Sequence, residues 1–124
     1  MLAPPDATHN QASIDIGGVR LKVQIADTPA LRERGLSDRS TLAPFDGMLF
    51  IFNEPSTLWM KDMLFPLDII WISPRGQVAD ITENAQPDSY PRHFQSRTPA
   101  EFAVEVPSGF GRQHHIGIGD RVSL

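Results

Sequence analysis

The chain has 124 residues, a net charge of −4 and no cysteine, which is the size of one domain. Its acidic balance and lack of any basic run argue against a nucleic-acid binder, and the missing cysteines remove disulfides, thiol catalysis and zinc–thiolate sites. Charges interrupt the longest apolar run, so no membrane-spanning helix is expected.

The opening MLAPPDATHNQ lacks the basic and apolar parts of a signal peptide. Residues 1–12 are expected as a disordered lead-in and 13–124 as a single β domain. Ser13–Ile16 and Val19–Ile25 read as two strands joined by Gly17-Gly18, which suits a primed hairpin turn. Val19, Leu21, Val23 and Ile25 alternate with polar residues, so one face of the second strand is wet. Thr28-Pro29 opens a short helix that Gly35 closes, with Leu31 and Leu36 toward the sheet. Arg32, Arg34 and Arg39 cluster there with Glu33 and Asp38. They read as a solvated surface, or, for Arg32 and Arg39, as arms reaching over the sheet edge toward a carboxylate.

Gly47–Ile72 is the most apolar stretch. Met48–Phe52 reads as a strand buried on both faces, Asn53–Ser56 as a turn, Leu58–Phe65 as a second strand and Leu67–Ile72 as a third. Ser73–Gly76 is a turn sequence, and Gln77–Ile81 starts a fourth strand. Lys61, Asp62 and Asp68 are charges set in this apolar context. A buried charge demands a partner. Lys61 and Asp68 therefore either pair with each other or with backbone groups, or line a pocket as cation and carboxylate; Asp62 is the weakest of the three. The methionines and tryptophans of this run read as core.

Asn84–Ala100 holds three prolines and carries Tyr90, Arg92, His93, Phe94, Ser96 and Arg97. A connection that long is either a cover over a site or a loop packed on its own aromatics. Glu101–Val106 alternates as a strand, Ser108 is a cap for a turn of helix through His114, and Gly117–Asp120 turns the chain into a last strand, Arg121–Leu124. The sum is mainly β: seven or eight short strands in a β-sandwich, jelly-roll or barrel-like domain, with two short helices.

No phosphate loop and no serine-hydrolase signature is present, and no motif asks for a cofactor. The adjacent His114 and His115 diverge, so a metal site with His93 and Asp120 is not expected. Asp68 with Glu105 would suit glycoside hydrolysis if the two carboxyls stood about 5–9 Å apart.

Arg34-Gly35-Leu36, Arg39, Gly47-Met48-Leu49-Phe50, Trp59-Met60-Lys61 and Pro66-Leu67-Asp68-Ile69-Ile70 together resemble the domain-of-unknown-function 192 family. Gly76, Ala85, Pro87, Ser96, Glu105, Gly109, Ile116 and Gly119-Asp120 follow in that family's order, so the resemblance spans about Val19–Val122. Family members usually show Asn where this chain has Asp62, and Met where it has Ser37. The resemblance implies a compact, mostly β fold and an exported protein, periplasmic or extracellular, without excluding the cytoplasm. It implies no reaction. The expected function is binding of a small polar ligand, a sugar or cell-wall fragment, by Trp59, Lys61, Asp68, Arg32, Arg39, His93, Ser96 and Glu105. The alternatives are a small hydrolase or lyase using Asp68, Glu105 and Lys61, and a domain that only docks on another protein. The oligomeric state is not legible.

Overall fold

A computed structural model describes residues 10–124. Two strands, β1 (Gln11–Ile16) and β2 (Val19–Ala26), form the expected hairpin, with Gly17 and Gly18 at φ 56° and 85°. Helix α1 (Pro29–Arg34) starts where Thr28 accepts a hydrogen bond from the Leu31 N–H, at 3.2 Å. Gly35 ends it by donating its N–H to the Leu31 carbonyl. Strands β3 (Gly47–Ile51), β4 (Leu58–Trp59), β5 (Leu67–Ile72) and β6 (Val78–Ala85) follow, then a 3₁₀ turn at Pro87–Ser89 and β7 (His93–Phe94). The chain finishes with β8 (Phe102–Pro107), α2 (Phe110–Gln113) and β9 (Val122–Ser123).

Seven strands make one sheet in the order β6-β5-β8-β3-β2-β1-β9; β4 and β7 pair apart from it. Only β2 and β3 run parallel, because α1 carries the chain across between them. The sheet curls until its ends meet. Gln77 bridges Arg121, Val78 donates to the Asp120 carbonyl and Val122 to the Gly76 carbonyl, both at 2.8 Å. This is the barrel-like form of the expected β fold rather than two facing sheets.

Two cores follow from the alternation of side chains along each strand. Ile16, Leu21, Val23, Leu49, Ile70 and Val104 fill the inside of the curl. Met48, Phe50, Ile69, Trp71 and Ala103 form the outer face of β3, β8 and β5. Leu36, Leu58, Met60 and Met63, from α1's exit and the chain around β4, roof that outer face. This explains why Met48–Phe52 and Leu67–Ile72 are apolar on both sides. The central position of β8 also brings backbone close to backbone. A Cβ on Gly47 would run into the Glu105 carbonyl oxygen and stand 3.0 Å from Val106 Cγ1. Gly47→Ala is therefore expected to destabilise the fold by about 1–3 kcal/mol, read by urea denaturation.

Four local expectations need correction. The chain is already in β1 at Gln11, while residues 1–9 of the expected lead-in lie outside the described residues. Leu58–Phe65 is not one strand. β4 stops at Trp59, because Met60 and Met63 both turn into the roof and the chain reverses through Asp62 at φ 57°. Asn84–Ala100 is not all connection: β6 runs on to Ala85, and β7 pairs Trp59 with His93 and Leu58 with Phe94. Ser108 does not cap α2; its hydroxyl donates to Asn84 Oδ1 at 2.7 Å, and Gly109 occupies the cap position.

Candidate functional site

The site begins with β8. Val104 and Val106 point into the curl, so Ala103 and Glu105 point outward. Met48 on β3 and Ile69 on β5 are the register partners of Glu105, and partners in register share a face. The carboxyl thus stands in the middle of the outer apolar face, under the roof. Glu105 is 4 % exposed, and its carboxyl has no hydrogen-bond or ion-pair partner among the described residues. Burial strips water from the charged form and pushes its pKa up to about 8. The group is therefore protonated at neutral pH.

Glu105 lines a pocket of about 200 Å³. Phe50, Phe52, Leu58 and Met63 supply its apolar lining, with Arg32, Ser37, Thr57 and Trp59 around them. The half-buried Arg32 donates from one guanidinium nitrogen to the Ile51 carbonyl at 3.0 Å, which ties α1 over the end of β3. Ser37 Oγ donates to the Lys61 carbonyl at 2.9 Å and holds the turn after α1 against the turn after β4. Trp59 is flanked edge-on by Tyr90, at 5.0 Å between ring centres, and by the tilted His93 ring at 5.2 Å. His93 Nδ1 shares a 2.8 Å hydrogen bond with Thr57 Oγ1. The exposed Lys61 places Nζ 5.6 Å from the Trp59 ring centre, within cation–π reach.

Lys61 and Asp68 do not share a hollow. Asp68 is opposite Val106, whose side chain points into the curl, so Asp68 and Glu105 lie on opposite faces of the sheet. That separation also takes apart the expected Asp68–Glu105 acid/base pair. Asp68 is 2 % exposed and accepts from three backbone N–H groups: Asn84 at 2.9 Å, Gly109 at 3.1 Å and Gly111 at 3.2 Å. It joins β5 to the end of β6 and to the start of α2. Arg39 does not reach a carboxylate either. Its guanidinium donates to the Gln24 side-chain carbonyl on β2, and burial, with a smaller push from Arg34, lowers its pKa from the ordinary value. Ser96 lines a separate hollow beside Trp71 and Arg97.

Of the eight expected residues, Arg32, Trp59 and Glu105 come together, with Lys61 and His93 against the outer side of Trp59. Among the described residues no three His, Asp or Glu side chains gather as a metal site. Asp120 instead accepts from the Gly117 N–H at 2.8 Å. No helix of the described chain is long and apolar enough to cross a membrane. Sequence reasoning missed Asp80, a 3 % exposed carboxylate that grips the Arg97 guanidinium and its backbone N–H. The Arg97 side-chain hydrogen bonds hold its pKa below the usual carboxylate range. The signal was there: Asp80 is a charge in the apolar alternation of Val78–Ile81, as Asp68 is in its own strand. The pairing of Asp80 with Arg97 pins the long loop to β6.

The DUF192 family model, described as "Uncharacterized ACR", matches residues 12–124. The chain belongs to the DUF192 family. Two solved structures share the fold. A protein of unknown function from Novosphingobium aromaticivorans superposes with a TM-score of 0.85 at 27 % identity, over 99 % of this chain and 91 % of that one. A protein from Sinorhizobium meliloti described as a "putative transcription regulator" superposes at 0.83 with 33 % identity, over 91 % and 92 %. No curated protein matches. Within this DUF192 fold the Trp59-Met60-Lys61 signature divides into pocket wall, core and surface. Asp62, where the family usually shows Asn, occupies a left-handed backbone position that both residues tolerate. Ser37, where Met is common, bonds the Lys61 carbonyl.

Proposed function

We propose that this DUF192 domain binds a small polar molecule in the pocket above Glu105. The observation that carries the reading is the Glu105 carboxyl: buried, without a partner among the described residues, and open to a hollow. Leaving such a group unsatisfied costs about 1–3 kcal/mol, which a ligand hydrogen bond recovers. Trp59 offers an aromatic face, and Arg32 keeps donors beyond the one bonded to Ile51. At about 200 Å³ the pocket falls below the roughly 300–1,000 Å³ of drug-sized sites, so it suits one sugar ring or a molecule of similar size. The hydrolase alternative keeps Glu105 and loses Asp68, whose oxygens are occupied by backbone N–H groups on the other face. A location outside the cytoplasmic membrane, which rests on the family resemblance alone, belongs to the same proposal and is tested by cell fractionation.

Ligand-observed NMR with monosaccharides, amino sugars and small amino acids tests the pocket. At least one member of the panel is expected to bind. Thr57→Trp, at an exposed residue on the pocket's wall, is expected to abolish that binding while the melting temperature stays within about 3 °C. If nothing in the panel binds, or binding persists unchanged in the Thr57→Trp variant, the reading is wrong.

A further inference from the structure

We infer that the occupant of this pocket is a small zwitterion, an aminocarboxylic acid whose ammonium sits on Glu105 and whose carboxylate meets Arg32. The inference deepens the proposed function and rests on it. Glu105 is the buried carboxyl of the lining, and no group among the described residues satisfies it. An ammonium satisfies a buried carboxyl most fully, because it supplies both hydrogen-bond donors and the opposite charge. The surrounding walls suit a cation: Phe50, Phe52 and Trp59 present aromatic rings around the same space.

A simple amine, however, has to pass a positive rim. The other charged residues lining the pocket are Arg32, Glu33 and Arg34, all on α1; β3, the Ser56–Trp59 segment and Met63 contribute none. Lys61 adds another positive charge beside Trp59. That excess repels a lone cation and attracts an anion. One ligand meets both demands when it carries an anionic group at the mouth and an ammonium within. Arg32 is the anchor for the anionic end, since it is held in place by its bond to the Ile51 carbonyl and has donors to spare.

The proton balance of this event is distinctive. Without a cation beside it, the buried Glu105 holds its proton at neutral pH. Binding an ammonium turns it into the carboxylate, and the displaced proton leaves to solvent. Isothermal titration calorimetry just below neutral pH, in two buffers of different ionisation enthalpy, reads that proton directly. The probes are the ω-amino acids from glycine to 6-aminohexanoate, with butylamine, butanoate and glucose as comparators. One ω-amino acid is expected to bind about tenfold or more tighter than butylamine or butanoate. It is expected to release about one proton per molecule bound, with affinity rising about tenfold per pH unit below pH 8. Glu105→Gln is expected to abolish the proton release and lower affinity about tenfold or more, and Arg32→Met to reduce the best ω-amino acid to the level of butylamine. Tight binding of glucose or butanoate without proton release overturns the zwitterion and leaves the pocket reading intact. Heat from none of the probes also overturns it, and the wider NMR panel then decides separately whether the pocket binds anything.

Discussion

Asp68→Ala is expected to destabilise the domain by about 4 kcal/mol, the largest loss from any single polar truncation in this fold. The Asp68 carboxylate accepts from the N–H groups of Asn84, Gly109 and Gly111. Hydrogen bonds to a charged group contribute about 1.5–3 kcal/mol each, and they do not simply add. Alanine removes all three acceptor contacts at a 2 % exposed position and strands the buried Gly111 N–H, while Asn84 and Gly109 lie at exposed positions. Asn84 is held at φ 54° and Gly109 at φ 89°, so both depend on an outside acceptor to fix their turns. Asp68→Asn keeps one acceptor oxygen and is expected to fall between alanine and the native residue. Urea denaturation monitored by tryptophan fluorescence measures both. Unchanged or raised stability in the alanine variant would mean that the carboxylate is kept for a ligand rather than for the fold.

Glu105→Gln is expected to act in the opposite direction and to stabilise the domain in a pH-dependent way. The folded-state pKa of about 8 lies above the ordinary carboxyl value of 4.5. Between those values the folded chain holds a proton that the unfolded chain has lost. Native stability therefore falls as pH rises through this window, and levels off above about 8. Glutamine has no proton to lose. The two proteins are expected to melt together near pH 4 and to diverge as pH rises. At about 1.4 kcal/mol per pH unit, the interval bounds the gain at about 5 kcal/mol. Melting curves from pH 4 to pH 9 measure the gap, and a gap that stays constant with pH would show that Glu105 does not titrate in this range. A glutamate kept at such a cost in the centre of an apolar face is the pattern of a residue retained for function.

These two carboxyls show where sequence reasoning reached its limit. Both were visible as charges in apolar strands, and both were candidates for one site. Asp68 proved to be an anchor and Glu105 the floor of a pocket. Each strand's own alternation told which neighbours share its face, but not which face of β5 matches which face of β8. That match depends on the pairing of Ile69 with Glu105 and of Asp68 with Val106, across about forty residues of chain. Lys61 failed for a related reason. As a strand residue it would have shared a sheet face with Trp59, but the chain turns after β4 because Met60 and Met63 are drawn into the roof, and Lys61 is left exposed against the Trp59 ring.

What was legible is the part with a local cause. The glycine hairpin, the Thr28 cap with Pro29 behind it, the Gly35 stop and the two-faced apolar strands all follow from backbone sterics and side-chain period, which act over a few residues. The family signature is equally a property of the sequence alone. Tertiary structure decided the rest: that β8 inserts between β5 and β3, that the sheet closes on itself, that Asp80 grips Arg97, and that Arg32, Trp59 and Glu105 surround one hollow. Those outcomes come from pairing segments far apart in the chain, where burial over the whole sheet, and not the preference of any short stretch, chooses the partner.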